Sequence, residues 1–330
     1  MREFADRMYL HAKIHGLHHT ILSGPSYREV LTTRTFNSFN MGPPSNSENT
    51  SSLYDIEEQL FRKQIETVLN LMNISGYYRR LFNAYLHIFE TWNVKALLVR
   101  ADGRYTGDMP WFDISPFDLV PSSFRKKKAD RARLFSLLPE RYTGVLRNVS
   151  SSERYEHLEV ALDMAIYNEL AESMRYLHHR DAVILAGSLL LNITLLAITW
   201  QKRLTVLYRW NAKNAQSFVN EMAGDLMHSH HLLRKRYPDS LEYWKKLVPL
   251  SGAELHHGDY AELRKMEHSM HRRLYNEYRS WFFRDFHASW CVVSFIWLVY
   301  YQLQNLRGIV EGLRAKMHPD GIYSLLVCEG

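Results

Sequence analysis

One pattern constrains this chain of 330 residues more than any other. An Asn followed by apolar residues one and four positions on, and by a basic residue eleven on, occurs three times. The copies are Asn93 with Val94, Leu97 and Arg104; Asn192 with Ile193, Leu196 and Arg203; and Asn305 with Leu306, Ile309 and Lys316. Offsets of one and four fall on one side of an α-helix, so each Asn stands at the edge of a buried stripe and each copy is expected to be helical. Upstream, a Tyr in a cap-like setting (Tyr54, Tyr155, Tyr260) opens an amphipathic run 39, 37 and 45 residues before the Asn. Successive copies lie 99 and 113 residues apart, beyond the roughly 20–50-residue period of a solenoid repeat. Three fused copies of one helical unit fit that spacing. The expected units are residues 1–112, with an exposed, mobile connection at 36–52, then 113–212 and 213–330.

Helical periodicity extends well beyond the three copies. It runs from Phe4 to a break at Gly24-Pro25, after which Ser26 is expected to cap a short helix through Val30. It resumes from Leu53 to Met72, pauses at Ser75-Gly76 and continues from Tyr77 through the first Asn. Met109 to Ser123 is a Pro-punctuated connector whose Trp111, Phe112 and Phe117 should pack onto the helices. Residues 124–148 look helical but broken at Pro139, and Ser151-Ser152-Glu153 is an expected cap for the helix that follows. Residues 288–301 fit a core helix. Strand patterns are lacking, except that Tyr323–Cys328 is expected to be a short strand or else disordered. The expected class is therefore all-α.

Residues 182–200 are apolar over nearly the length that crosses a bilayer. They are expected to be buried in protein instead, because the equivalent first-copy helix carries Glu90, Lys95 and Arg100. Charged groups at a bilayer centre cost roughly 2.5–3.5 kcal/mol each.

Composition narrows the function. The 41 basic and 35 acidic residues leave a charge of +6, and their interspersion argues against a nucleic-acid footprint. The run Arg125–Lys128 is expected to be a solvated helix face, or to lie against anionic headgroups or an acidic partner. Two cysteines imply a reducing compartment, with Cys291 a buried small hydrophobe in an apolar run. The N-terminus has no signal-peptide pattern.

Of the seventeen histidines, eleven cluster: His11, His15, His18 and His19; His178 and His179; His228, His230 and His231; and His256 and His257. The pairs His11/His15, His15/His19 and His228/His231 have spacings that could share a zinc ion. The carboxylate of an H-E-x-x-H site is missing, so surface or helix-capping histidines are expected and no metal is assigned. Phosphate-binding loops and a G-x-S-x-G elbow are absent, and neither cysteine has electropositive neighbours. No catalytic residue and no cofactor are expected. A His-rich all-α metal-dependent enzyme is the alternative.

With the Asn copies in place, the chain resembles the C subunit of the V/A-type (vacuolar/archaeal-type) ATPase, the equivalent of the d subunit of the eukaryotic vacuolar enzyme. The resemblance is carried by Gln304 through Asn305-Leu306-Arg307-Gly308-Ile309-Val310 to Ile322, by Glu90-x-x-Asn93 with Lys95, and by Leu134–Leu146 with Tyr142. The acid three residues before the Asn is Glu90 in the first copy but Leu189 and Gln302 in the others. What the resemblance implies is an all-α protein of three related helical units around a pseudo-threefold axis, funnel-shaped. Its implied role is that of a non-enzymatic central-stalk or rotor subunit, a socket between the soluble shaft and the membrane proteolipid ring. ATP hydrolysis or synthesis would thereby be coupled to proton or sodium transport. Partners would be central-stalk subunits and the ring, with no nucleic acid and no small-molecule substrate. Its implied place is peripheral, on the cytoplasmic face of the membrane. Arg104, Arg203 and Lys316 are the candidate partner contacts, and Asn93, Asn192 and Asn305 mark the repeat.

Overall fold

The computed structural model describes residues 2–33, 53–74, 76–103, 111–120, 122–126, 131–140, 142–143, 154–235, 255–284 and 288–328. Among them every regular element is helical and none is a strand. The longer elements are α1 (Arg2–Gly16), α2 (Gly24–Thr33), α3 (Leu53–Ile74), α4 (Arg79–Ala101), α5 (Arg131–Leu137) and α6 (Tyr155–Ser173). They continue with α7 (His179–Val206), α8 (Ala212–Ser229), α9 (Tyr260–Arg284), α10 (Ala288–Arg314) and α11 (Pro319–Tyr323). The connection at 36–52 lies outside the described residues, as do Ser151–Glu153 and Arg104. So does most of the Arg125–Lys128 run, of which only the backbone of the first two residues is described.

Contacts divide the chain into two compact units, one of residues 1–79, 108–115 and 271–330, the other of 80–107 and 116–270. Helix α9 gives its first eleven residues to the second unit and the remainder to the first.

In the first unit α3 packs on α10, α1 packs on both, and α11 packs on α2 and α10. The recurrence of Leu60, Phe61, Ile65, Val68 and Met72 along α3 places a buried stripe at helical spacing. Helix α10 is buried nearly all round from Cys291 to Tyr301, and each large apolar side chain removed from water contributes roughly 1.5–3 kcal/mol. Two of the three connector aromatics pack as expected, Trp111 and Phe112 being buried and Phe112 meeting Phe61 at a centroid distance of 4.9 Å, whereas Phe117 is half-buried.

Three local expectations are corrected here. Helix α2 opens at Gly24 rather than after a cap at Ser26, with Pro25 just inside it, where a residue lacking an N–H loses no helical hydrogen bond, and it runs to Thr33 rather than Val30. The break before it comes earlier, at Leu17–Ser23, where a 3₁₀ turn over His18–Thr20 ends α1. Tyr323–Cys328 is not a strand: α11 ends at Tyr323 and turns follow. With no partner strand beside it, this backbone is satisfied by turns and by a side-chain amide.

In the second unit α6, α7 and α8 pack pairwise. Helix α6 begins at Tyr155 with Arg154 as its N-cap, and α8 is capped by Asn211, whose side chain accepts the Lys213 N–H at 2.9 Å. Helix α7 is the one described helix long and apolar enough to cross a membrane, yet 78% of its most apolar window is buried within the protein. Its hydrophobicity is thus explained by the helices that cover it.

Candidate functional site

The three repeat-marking amides are all buried: Asn93, Asn192 and Asn305 are 2, 4 and 3% exposed. Burial of an amide is costly unless it is hydrogen-bonded. Asn192 donates to the Ser188 carbonyl one turn back on α7, at 2.9 Å. Asn305 does more, donating to the Val327 carbonyl at 2.8 Å while accepting the Val327 N–H at 2.7 Å.

The position three residues before the Asn has a shared use in the first and third copies. Glu90, fully buried in α4, accepts the backbone N–H groups of Leu119 and Val120, the latter at 2.7 Å, and the Tyr142 hydroxyl at 2.5 Å. Gln302, in α10, accepts the Leu22 N–H at 2.6 Å and donates to the Thr20 carbonyl at 3.2 Å. In each case a polar group at the helix edge satisfies the backbone of a connector that has no ladder of its own. Leu189 occupies the corresponding place in α7 and is buried and apolar. The sequence signal for these ties was the Glu/Gln three residues before the Asn; their partners carried none.

Further polar ties join α4, α6 and α7. Lys95 donates to Asp163 at 2.6 Å, and the other Asp163 oxygen accepts the Trp200 indole N–H at 2.9 Å. His87 bridges Glu169, at 2.8 Å, and the Phe117 carbonyl, at 3.1 Å.

The candidate contact residues fall in different settings. Arg203, near the end of α7, forms a two-pronged pair with Glu267 at 2.7 and 3.2 Å. Burial opposes its charge, but the hydrogen bonds and charge of Glu267 hold the guanidinium above its usual pKa. Lys316 lies beyond the end of α10, exposed and left-handed at φ 55°. It forms the stop of that helix: its own N–H reaches the Leu313 carbonyl at 3.1 Å, and the Met317 N–H reaches that of Gly312 at 3.0 Å. Arg104 is not among the described residues. In α4, a left-handed Gly103 ends the helix immediately before it.

Several histidines stand at helix ends; of His178, His230 and His318, only His318 caps with its side chain, accepting the Asp320 N–H. His178 is the N-cap residue of α7, His230 follows the end of α8 as its C-cap, and His318 is the N-cap residue of α11. Burial lowers the pKa of His230, and His257 is locked between the Val206 carbonyl, at 2.7 Å, and the Arg209 guanidinium, at 2.9 Å. One expected pair does meet: the Nε2 atoms of His11 and His15 are 3.1 Å apart. Their neighbour is one the sequence did not suggest, Cys291 of α10, with the three ligand atoms all within 4.8 Å of one another. Burial pushes the Cys291 thiol up to about 12, so it is inert as a nucleophile.

Fold and interior together define an all-α protein in which Glu90, Gln302 and Asn305 tie connectors to helices and Asp163 ties helix to helix. Residues 10–325 match the family described as the ATP synthase (C/AC39) subunit. The chain thus belongs to the C/AC39 family of V/A-type rotary ATPase subunits. No curated protein matches it significantly.

Proposed function

We propose that this protein is a non-catalytic central-stalk component, the socket through which the soluble shaft of a V/A-type rotary ATPase engages the membrane proteolipid ring. The observation that carries the reading is the family match over residues 10–325, nearly the whole chain. The physical logic supports it. A ring of identical subunits and an asymmetric shaft share little matching surface, whereas stable association needs on the order of 1,200–2,000 Å² of buried area. An intervening rigid helical body can meet both. The interior ties of Glu90, Gln302 and Asn305 suit a part that must transmit torque without yielding, since each fixes a connector to a helix.

The same reading holds three related helical units, 1–112, 113–212 and 213–330, around a pseudo-threefold axis. It places the protein peripherally, on the cytoplasmic side of the membrane, coupling ATP hydrolysis or synthesis to proton or sodium movement. The shared connector-capping by Glu90 and Gln302, each three residues before a repeat Asn, favours equivalence of the first and third units. Of the candidate partner contacts, Lys316 is exposed and available, while Arg203 is engaged by Glu267. Arg104 completes the set. A metal-dependent enzyme gains no support from the family.

The test is co-purification of the full chain with central-stalk subunits and with the proteolipid ring. Binding to both is expected. Lys316→Glu should weaken one of the two interactions, and Lys316→Gly, which keeps the left-handed helix stop, should do so to a lesser degree. Failure to bind either partner overturns the proposal.

A further inference from the structure

Helix α1 presents His11 and His15 one turn apart, the spacing at which two imidazoles can reach a common ion. Their Nε2 atoms stand 3.1 Å apart. Across the α1–α10 contact, the sulfur of Cys291 approaches until all three ligand atoms lie within 4.8 Å of one another. Zinc bonds of roughly 2.0–2.1 Å to nitrogen and 2.3 Å to sulfur in a tetrahedron require ligand separations of about 3.3 Å (N to N) and 3.6 Å (N to S). The histidine pair is within a few tenths of an ångström of that geometry, and the sulfur, within 4.8 Å of both nitrogens, has at most about 1.2 Å to close. The Phe282 ring lies 4.9 Å from the His15 ring and walls the site on one side. Cys291 is wholly buried, whereas both histidines are partly exposed. The ion would therefore enter from the histidine side, where water can fill a fourth position.

We propose that His11, His15 and Cys291 form a three-ligand zinc(II) site that staples α1 to α10. Two imidazoles and one thiolate suit a borderline-soft divalent ion and disfavour magnesium or calcium, which take oxygen ligands. The proton balance is simple. Without metal the Cys291 thiol keeps its proton and the two imidazoles share a hydrogen bond. On binding, the thiol proton is released to solvent, zinc–sulfur and two zinc–nitrogen bonds form, and the remaining ring protons reside on Nδ1. Because ligand residues 11 and 291 are far apart in the chain, closure of the site ties down the N-terminal helix. The inference does not depend on the rotary reading and survives or fails separately from it.

The experiment uses the full chain, untagged and stripped of metal, titrated first with cobalt(II) and then with zinc(II). One equivalent of cobalt should produce a thiolate-to-cobalt charge-transfer band in the near ultraviolet and the visible bands of a tetrahedral ion, and zinc should bleach both. Cys291→Ser should abolish the charge-transfer band, while Cys328→Ser, altering the other thiol, should leave it intact. His11→Gln and His15→Gln, at partly exposed positions, should each weaken binding at least tenfold. Zinc should raise the melting temperature of the wild-type chain and of Cys328→Ser, less so that of His11→Gln and His15→Gln, and not that of Cys291→Ser. A wild-type chain with no charge-transfer band overturns the site, as does a band that persists unchanged in Cys291→Ser.

Discussion

The side chain of Asn305 satisfies both backbone groups of Val327, donating to its carbonyl at 2.8 Å and accepting its N–H at 2.7 Å. By this pairing the segment after α11 is held against α10. There Leu326 and Cys328 join Tyr27, Val30, Leu306 and Ile309 in one buried cluster. Asn305→Leu should cost about 2–4 kcal/mol, because two hydrogen bonds are lost and two partly buried backbone groups are left unpaired. Urea denaturation of the variant checks this; a loss under about 1 kcal/mol would contradict it.

Glu90 gathers two backbone N–H groups and a hydroxyl in the absence of any cation among those contacts. Glu90→Ala should destabilise by about 3 kcal/mol or more, since three donors lose their acceptor. Glu90→Gln should cost about 1–2 kcal/mol: its oxygen can still face Leu119 and Val120 while the Tyr142 hydroxyl turns to accept from its amide. Hydrogen exchange at Leu119 and Val120 should accelerate far more in the Ala variant than in the Gln variant.

Glu57 is 3% exposed, its carboxylate oxygens make no hydrogen bond to a described residue, and Arg307 approaches only to 3.8 Å. Burial, partly offset by Arg307, raises its pKa from 4.5 to about 7. The folded protein thus holds this proton over a range in which the unfolded chain has lost it. Stability from this group is present below about pH 4.5 and declines as pH rises to about 7, by about 3 kcal/mol in all. Glu57→Gln should flatten that decline and be more stable than wild type at pH 8 by about 1–3 kcal/mol, read from denaturation midpoints across pH. Identical pH profiles for the two proteins would refute the assignment.

Gly312 permits α10 and α11 to approach. A Cβ there would sit 2.6 Å from Cγ1 and 2.9 Å from Cδ1 of Ile322, which is buried. In an open helix Gly→Ala gains about 1 kcal/mol; here Gly312→Ala should instead lose about 1–3 kcal/mol through overpacking. The double variant Gly312→Ala/Ile322→Ala should lose less than the sum of its single variants, in a denaturation cycle.

How far the sequence reaches is visible in particular residues. The helical class, the Asn-bearing helices and the burial of α7 were legible because periodicity of 3.6 residues is a local property, written in neighbours three and four apart. The family resemblance was legible on a different ground, the residue identities of short runs such as Asn305–Val310. The opening of α2 was misplaced by three residues because Pro25 suits the first turn of a helix as well as it suits a break. The segment Tyr323–Cys328 suggested a short strand, but a strand needs a partner, and here the neighbour is the side chain of Asn305.

By itself, then, the sequence determined which segments are helical, which face of each is apolar, and the family to which the chain belongs. Only the tertiary structure decided that Glu90 meets the backbone of Leu119 and Val120, that Lys95 and Trp200 share Asp163, and that Cys291 closes on His11 and His15. The physical reason is that amphipathic periodicity specifies a buried face without specifying what covers it. That choice is made by packing between residues far apart in the chain, and backbone donors in irregular connectors carry no side-chain signature at all.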